Sequence, residues 1–521
     1  MKVPVSTGTP ADPVTAASPE EATRKQIRGS TLLLAGRFMT VAVNLVVQIL
    51  VVRYLTKTDY GAFAYALSLV SLGASIVTFG LDRSITRFVP IYDEERDHNR
   101  MFGTVALAVG TVLSLSLVCL LLVYGLQGLV GASLIGDERA ISLLLILILL
   151  IPINALDGLI MGMFAVFSRP RAIFFRKNVL TPGLRLTIVL LLVLGNQSVF
   201  FLAVGYVLAG ALGVAICSVL LYRTLKSEGL LERFHVRELD FPTRAVFGFT
   251  IPLLTSDLVY MTMNTSDVVL LGHFGGADDV ADFRVVWPAA HLNQMVMASF
   301  ALLFTPAAAR MFARNDREGI NGLYWLTAIW IAVLSFPIFA LTFSLAGPLT
   351  VMLFGERYED SATYLALLSL AYYFNAALGF NGLTLKVFGR LRYIVSINVV
   401  AALVNLGINF VLIPLYGPLG AAIGTFSTLI LHNILKQAGL LLGTGITLFR
   451  ARDLAVYASI VVLAGLLLAV QLILSPPPVV GIFLAALVSL AVIAFGRKSL
   501  RAGDTFPELM RFRVARLIAG E

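Results

Sequence analysis

The chain has 521 residues, 58% of them hydrophobic and 13% charged, with a mean hydropathy of +0.89 and a formal net charge of +9. A water-facing surface needs far more charge than that, so the composition excludes a soluble globular domain and predicts an all-α polytopic membrane protein. In a soluble protein the basic balance would suggest nucleic acid; here the cations sit between apolar runs near membrane-crossing length, and no nucleic-acid partner is expected.

Residues 1–29 have no apolar core and read as a disordered cytoplasmic tail rather than a signal peptide. Backbone amides in hydrocarbon must bond within their own segment, so each long apolar run that follows is read as a helix. The runs place spans at roughly 31–53, 60–81, 101–126, 141–166, 174–195, 199–222, 245–272, 280–309, 322–346, 361–385, 391–413, 418–441, 454–474 and 479–496. These about fourteen spans divide into an N-lobe at 30–222 (spans 1–6), a basic cytoplasmic linker at 223–244 and a C-lobe at 245–441 (spans 7–12). An appended pair, spans 13–14, occupies 442–496, and a basic cytoplasmic tail occupies 497–521.

Charge placement supports the count. About 32 of the 39 Lys and Arg fall in even-numbered loops and the two tails, about four in odd-numbered loops and about three inside spans. The positive-inside rule then puts both termini in the cytoplasm and leaves Arg53, Lys57, Arg139 and Arg357 outside. The longest outside loops, 127–140 and 347–360, are too short to hold a folded domain. Cys119 and Cys217 lie within apolar runs and imply no exported disulfide.

Asp59-Tyr60-Gly61-Ala62-Phe63 opens span 2 and Asp279-Val280-Ala281-Asp282-Phe283 opens span 8, an offset of 220 residues. At that offset Asn44 meets Asn264 and Arg37 meets Asp257. Both spans 1 and 7 start inside, so the repeat is parallel, two six-helix lobes related by an axis along the membrane normal.

An ionisable group at mid-bilayer costs about 2.5–3.5 kcal/mol on insertion scales, so it faces a cavity or a partner. Span 1 carries Arg37, Thr40, Asn44 and Gln48 on one helical face. Span 7 carries Asp257, Tyr260, Asn264 and Asp267 at similar spacing, and span 8 carries Arg284, Trp287, His291 and Gln294. The stripes are expected to look at each other across a central cavity. Arg185 is the deepest cation, about eleven residues or about 16 Å into span 5, and Asp157 of span 4 is its candidate partner. Snorkelling and cavity lining are both open readings for Arg37 and Arg284. For Asp157, Asp257 and Asp267, coupling or gating stands beside structural pairing and helix–helix hydrogen bonding; Asn398, Asn405 and Asn409 of span 11 read as interhelical contacts. An arginine-lined cavity suits an anion, because guanidinium pairs bidentately with phosphate and stays charged. A pyrophosphate carried on a lipid tail satisfies both the cavity and the bilayer.

Four stretches carry a family resemblance: Arg53-Tyr54-Leu55 with Asp59-Tyr60-Gly61, Asp267 to Gly272, Leu353 to Tyr358, and Ile413-Pro414-Leu415-Tyr416-Gly417-Pro418-Leu419-Gly420 running on to Thr425. In these the chain resembles the multidrug/oligosaccharidyl-lipid/polysaccharide exporter superfamily, and within it the branch of O-antigen and exopolysaccharide repeat-unit flippases. The physical reading of 414–420 is a tight outside turn followed by small residues that allow close helix packing. The resemblance implies a V-shaped cavity between two lobes that opens alternately to either face of a bacterial inner membrane. It implies an undecaprenyl-diphosphate oligosaccharide as the cargo, flipped from cytoplasmic to periplasmic leaflet, with membrane lipids and the polysaccharide polymerase and export machinery as partners. It puts Arg284 in the helix that supplies a substrate arginine in the lipid II flippases. No cofactor is expected, and the sequence leaves proton or sodium coupling open. A cation-coupled drug exporter of the same fold would use Asp257 or Asp267 with an apolar pocket. A membrane glycan ligase or polymerase is the third reading, and the sequence has no metal-spaced His or Cys cluster and no nucleophile constellation to support it.

Overall fold

The computed structural model describes residues 19–130, 138–447 and 451–500; within them the side chains of Arg37, Asp257, Tyr260 and Asn264 lie outside the described set. Every regular element among the described residues is helical. The first half comprises α1 (Pro19–Tyr54), α2 (Lys57–Thr78), α3 (Leu81–Glu94), α4 (His98–Gly125), α5 (Gln127–Val130), α6 (Glu138–Leu147), α7 (Leu150–Val166), α8 (Pro170–Phe174), α9 (Thr181–Leu194) and α10 (Val199–Ser227). The second comprises α11 (Thr243–Phe274), α12 (Ala277–His291), α13 (Met295–Ala313), α14 (Arg317–Phe339), α15 (Ala346–Phe354), α16 (Ser361–Ala377), α17 (Asn381–Val387), α18 (Leu391–Tyr416) and α19 (Pro418–Thr444). The pair α20 (Ala451–Leu474) and α21 (Pro478–Leu500) follows, packed on α14.

Eleven described helices are long and apolar enough to cross a membrane, or 12 when the bent pair Ala277–Ala301 and Phe304–Ala313 is taken as one span. The sequence predicts fourteen. The difference falls on α1 and α11, helices of 36 and 32 residues, in which part of the composition lies outside the described residues. Helix also replaces the tail expected over 19–29: Pro19-Glu20-Glu21 is a helix-starting sequence, with proline in the first turn and acids near the positive end of the dipole.

Breaks inside the predicted spans and loops shape the interior. Phe79 (φ 54) and Gly80 (φ 69) interrupt the chain after α2, and α3 follows as an amphipathic helix where a cytoplasmic loop was expected. Its Leu81, Ser84, Ile85 and Val89 are buried, and Arg83, Thr86 and Arg87 between them face outward, the 3.6-residue alternation of a half-buried helix. A π-helical segment at Phe175–Leu180 precedes α9, and another at Ala340–Ser344 precedes α15, which itself fills most of the expected loop 347–360. The expected linker 223–244 is also folded: Asp240 accepts from Arg100 at 2.8 Å, and Phe234 packs edge-on against Phe102. Helix starts are capped from the sequence, as Thr56 accepts from the Asp59 amide at 3.1 Å and Asp97 from the Arg100 amide at 3.0 Å.

Helices α2 and α12 run side by side at the centre of the molecule. Gly61 makes this approach possible, since a β-carbon there would stand 1.8 Å from the Ala277 carbonyl oxygen. The end of the molecule where α2 and α12 begin is closed by a set of polar contacts. Arg53 donates to the Met352 and Leu353 carbonyls at 2.5 and 2.9 Å, and Arg357 donates back to the Val52 carbonyl. Lys57 pairs with Asp282 at 2.8 Å, Thr58 donates to Asp278 at 2.8 Å, and Arg139 pairs with Asp59 at 3.1 Å. The four cations that the charge tally leaves outside are therefore all engaged in this latch.

Candidate functional site

Below the latch lies a cavity of about 500 Å³ between the two halves of the chain. From the first half, α1 contributes Asn44 and Gln48, α2 contributes Tyr60, α9 contributes Arg185 and α10 contributes Tyr206. From the second, α12 contributes Arg284, Trp287 and His291, and the 3-10 turn at Leu292–Gln294 contributes Gln294. Among the described residues no carboxylate lines it, and the guanidinium groups of Arg185 and Arg284 are its charged groups. Each arginine lies over an aromatic face: Arg185 is 5.3 Å from the Tyr206 ring centre, and Arg284 is 5.1 Å from that of Trp287. Gln48 donates to the Tyr60 hydroxyl, which joins α1 to α2 at the cavity wall.

The structure thus brings Asn44, Arg185, Arg284, His291 and Gln294 into one lining. The side chains of the other two expected cavity residues, Arg37 and Asn264, and of the expected gating residue Asp257, lie outside the described set.

Asp157 does not pair with Arg185. Its Oδ1 accepts from Arg176 Nε at 2.6 Å, and Arg176 also donates to Thr181 at 2.9 Å. Nine residues, about two and a half helical turns, separate Arg176 from Arg185, so the two leave the helix on different sides. The π-helical segment carries Arg176 toward Asp157 of α7 and against α10, where a β-carbon on Gly213 would come within 2.1 Å of its guanidinium. Arg185 is left free to face the cavity.

A second cavity, of about 360 Å³, continues into the second half and shares Trp287, His291 and Gln294 with the first. Its lining includes Asp267, Asn375, Asn381, Lys386, Asn398, His432 and Lys436. Asp267 is buried, with Thr425 donating to its Oδ2 at 2.6 Å and Asn409 donating to its Oδ1. Ser266 donates to Asn405 at 2.9 Å, and Asn405 donates to Thr428 at 3.3 Å, so the asparagines of α18 tie α11 to α19. Asn398 meets His432 at 2.8 Å. The close packing expected after the 414–420 turn is visible at Gly424, where a β-carbon would lie 1.9 Å from Asn409 Oδ1.

Lys386, Lys436 and His432 carry no weight in the sequence reading, where they merge with the charges that set topology. One signal could have found them: Lys436 lies eight residues, about 12 Å, from the end of α19, too deep for an interfacial charge. Among the described residues, no group of three or more His, Cys, Asp or Glu is placed to hold a metal ion.

Comparison with known proteins agrees with this architecture. The fold matches that of the lipid II flippase MurJ in an inward closed conformation with a TM-score of 0.67 and 14% identity, over 92% of this chain and 100% of that one. It matches an inward-facing multidrug resistance MATE transporter of the MOP superfamily at a TM-score of 0.62 and 17% identity, over 78% of this chain and 97% of the other. The uncharacterized membrane protein MJ1068 of Methanocaldococcus jannaschii is 20% identical over 427 residues, 77% of this chain and 81% of its own length. The MatE family model matches residues 252–411. The model of the polysaccharide biosynthesis protein family matches residues 27–312, more than half of the sequence. With that match, the chain belongs to the polysaccharide biosynthesis protein family.

Proposed function

We propose that the protein is a flippase carrying an undecaprenyl-diphosphate-linked oligosaccharide, a polysaccharide repeat unit, from the cytoplasmic to the periplasmic leaflet by alternating access. The observation that carries this reading is the placement of Arg185 and Arg284, from the two halves of the chain, in one cavity lining that holds no carboxylate among the described residues. Two guanidinium groups at that depth offer paired N–H donors to a diphosphate, and a diphosphate ester keeps its charge at cellular pH. The latched end faces the periplasm and the arginine-rich end the cytoplasm, by the positive-inside rule. In this state cargo enters from the cytoplasmic leaflet, and breaking the latch while the opposite end closes moves the headgroup across. The fold is shared with a protein named as a lipid II flippase, and that likeness supports the reading of a lipid-linked cargo.

The buried Asp267 is the group we assign to cation coupling. It is the one carboxylate lining the second cavity among the described residues, and its hydrogen-bond partners Thr425 and Asn409 are neutral. A cation-coupled multidrug exporter, the other reading, would meet an arginine-lined cavity that repels cationic drugs.

The test is lipid-linked glycan flipping in proteoliposomes by the wild type, Arg185→Ala and Arg284→Ala. Transport by the wild type that falls at least about tenfold in each variant, at equal protein amount, supports the assignment. No transport of any diphosphate-linked glycan, together with efflux of a soluble cation, overturns it in favour of the exporter.

A further inference from the structure

The second cavity differs from the first in what it offers a ligand. Its walls are rich in side-chain amides: Asn381 donates to Asn433 at 2.9 Å, and Asn433 donates in turn to Asn375 at 2.9 Å. Asn398 and His432 add a further polar pair at 2.8 Å. Aromatic faces stand at the junction with the first cavity, where Trp287 stacks on His291 with ring centres 4.7 Å apart and Tyr372 meets His291 edge-on at 4.9 Å. Amides that bond hydroxyl groups and flat apolar rings that cover C–H faces are what a sugar ring requires.

Two lysines give this chamber its charge. Lys386 comes from the short helix α17, which restarts after the left-handed Gly379 (φ 69), and Lys436 comes from α19. The Lys436 stem runs past α17 at ordinary contact distance, 3.7 Å from the β-carbon position of Gly382 to Lys436 Cε. The carboxylate among the lining residues, Asp267, already accepts from Thr425 and Asn409. Two ammonium groups with a wall of amides form an anion site of different chemistry from the paired guanidinium groups of the first cavity.

We propose that this chamber holds a sugar residue bearing a carboxylate, so that the cargo is an acidic oligosaccharide and Lys386 and Lys436 select it. The proposal rests on the flippase reading above: the diphosphate occupies the Arg185 and Arg284 cavity, and the glycan extends past Trp287 and His291 into the second chamber. A neutral glycan would bring no counter-charge to the two ammonium groups, which is the basis of selection.

The test uses the full chain in detergent and three soluble probes: a glucuronate-containing tetrasaccharide, a neutral tetrasaccharide of glucose, and inorganic pyrophosphate. Calorimetric titration of the wild type is expected to show binding of the acidic tetrasaccharide at least about tenfold tighter than the neutral one, with the preference shrinking at high salt. In Lys386→Gln with Lys436→Gln the preference is expected to fall to about one, and Lys386→Arg with Lys436→Arg to restore it in part. Melting temperature of each variant checks folding. Equal binding of the two tetrasaccharides to the wild type, with pyrophosphate bound, overturns this proposal and leaves the flippase reading standing. Failure of pyrophosphate to bind as well overturns both. A preference that persists in the double glutamine variant removes the lysines from the role.

Discussion

Thr58 donates from its Oγ1 to Oδ1 of Asp278 across 2.8 Å, and the two residues stand 220 positions apart, the offset at which the two halves of the sequence align. Residues related by a twofold axis touch one another only beside that axis, so the expected repeat would have its axis between α2 and α12. Both residues lie in the first turn of their helices, so the two helices begin at the same end, as a parallel repeat requires.

The latch gives the first prediction. An exposed contact such as Thr58–Asp278 contributes about 0.2–1 kcal/mol, so its removal shifts the open population by up to about fivefold, and removing Lys57, which strands the buried Asp282, shifts it further. Lys57→Ala and Asp278→Ala are expected to raise the labelling rate of a cysteine at Asn44 by an impermeant maleimide applied to the latched end. Unchanged labelling in both variants would show that the contacts do not hold this end shut.

Gly61 is the tightest point of the α2 and α12 packing, and the atom in the way of a side chain is backbone, the Ala277 carbonyl oxygen. Gly61→Ala is expected to destabilise the closed state by about 1–3 kcal/mol. The readout is a lower melting temperature in detergent together with faster labelling at the latched end. A change in melting temperature alone would place the strain elsewhere.

Arg176 and Asp157 form an ion pair whose arginine side chain is only 6% exposed. Removing one partner strands the other, at a cost of about 3–5 kcal/mol in a fully buried pair and less here, since Asp157 is 26% exposed. Arg176→Leu is expected to lower thermal stability, and adding Asp157→Leu to recover much of the loss. The double-mutant cycle measures the coupling directly.

Arg284→Lys keeps the positive charge and loses the planar fork. Hydrogen bonds to charged groups are worth about 1.5–3 kcal/mol, so losing one lowers pyrophosphate affinity by about tenfold or more. Titration calorimetry distinguishes this from a point-charge role, in which the lysine variant binds as the wild type does.

For Asp267→Asn, transport is expected to lose its response to an imposed sodium or proton gradient while cargo binding persists. Flipping measured with and without each gradient decides it, and a response equal to that of the wild type moves coupling away from this carboxylate.

Hydropathy made the crossing helices legible nearly to their ends: span 11 was placed at 391–413 and α18 runs Leu391–Tyr416. A window that averages over twenty residues passes over the left-handed pair at Phe79 and Gly80, the 3-10 turn at Leu292–Gln294 and the π-helical segments, because none of these alters mean polarity. Helical spacing brought Arg284, His291 and Gln294 to one face, where the cavity lies. It had no means of choosing between Arg176 and Arg185 for Asp157, since that choice depends on how a widened turn rotates α9 relative to α7. Lys386 and Lys436 escaped for a related reason: charge counted by loop carries no information on depth.

The reciprocal grip of Arg53 and Arg357 uses carbonyl oxygens as its acceptors, those of Met352 and Leu353 on one side and Val52 on the other. Carbonyls do not titrate and are present whatever the side chain. That part of the seal is therefore indifferent to acidification of the medium it faces, and its acceptor positions are free to change sequence while the two guanidinium groups are not.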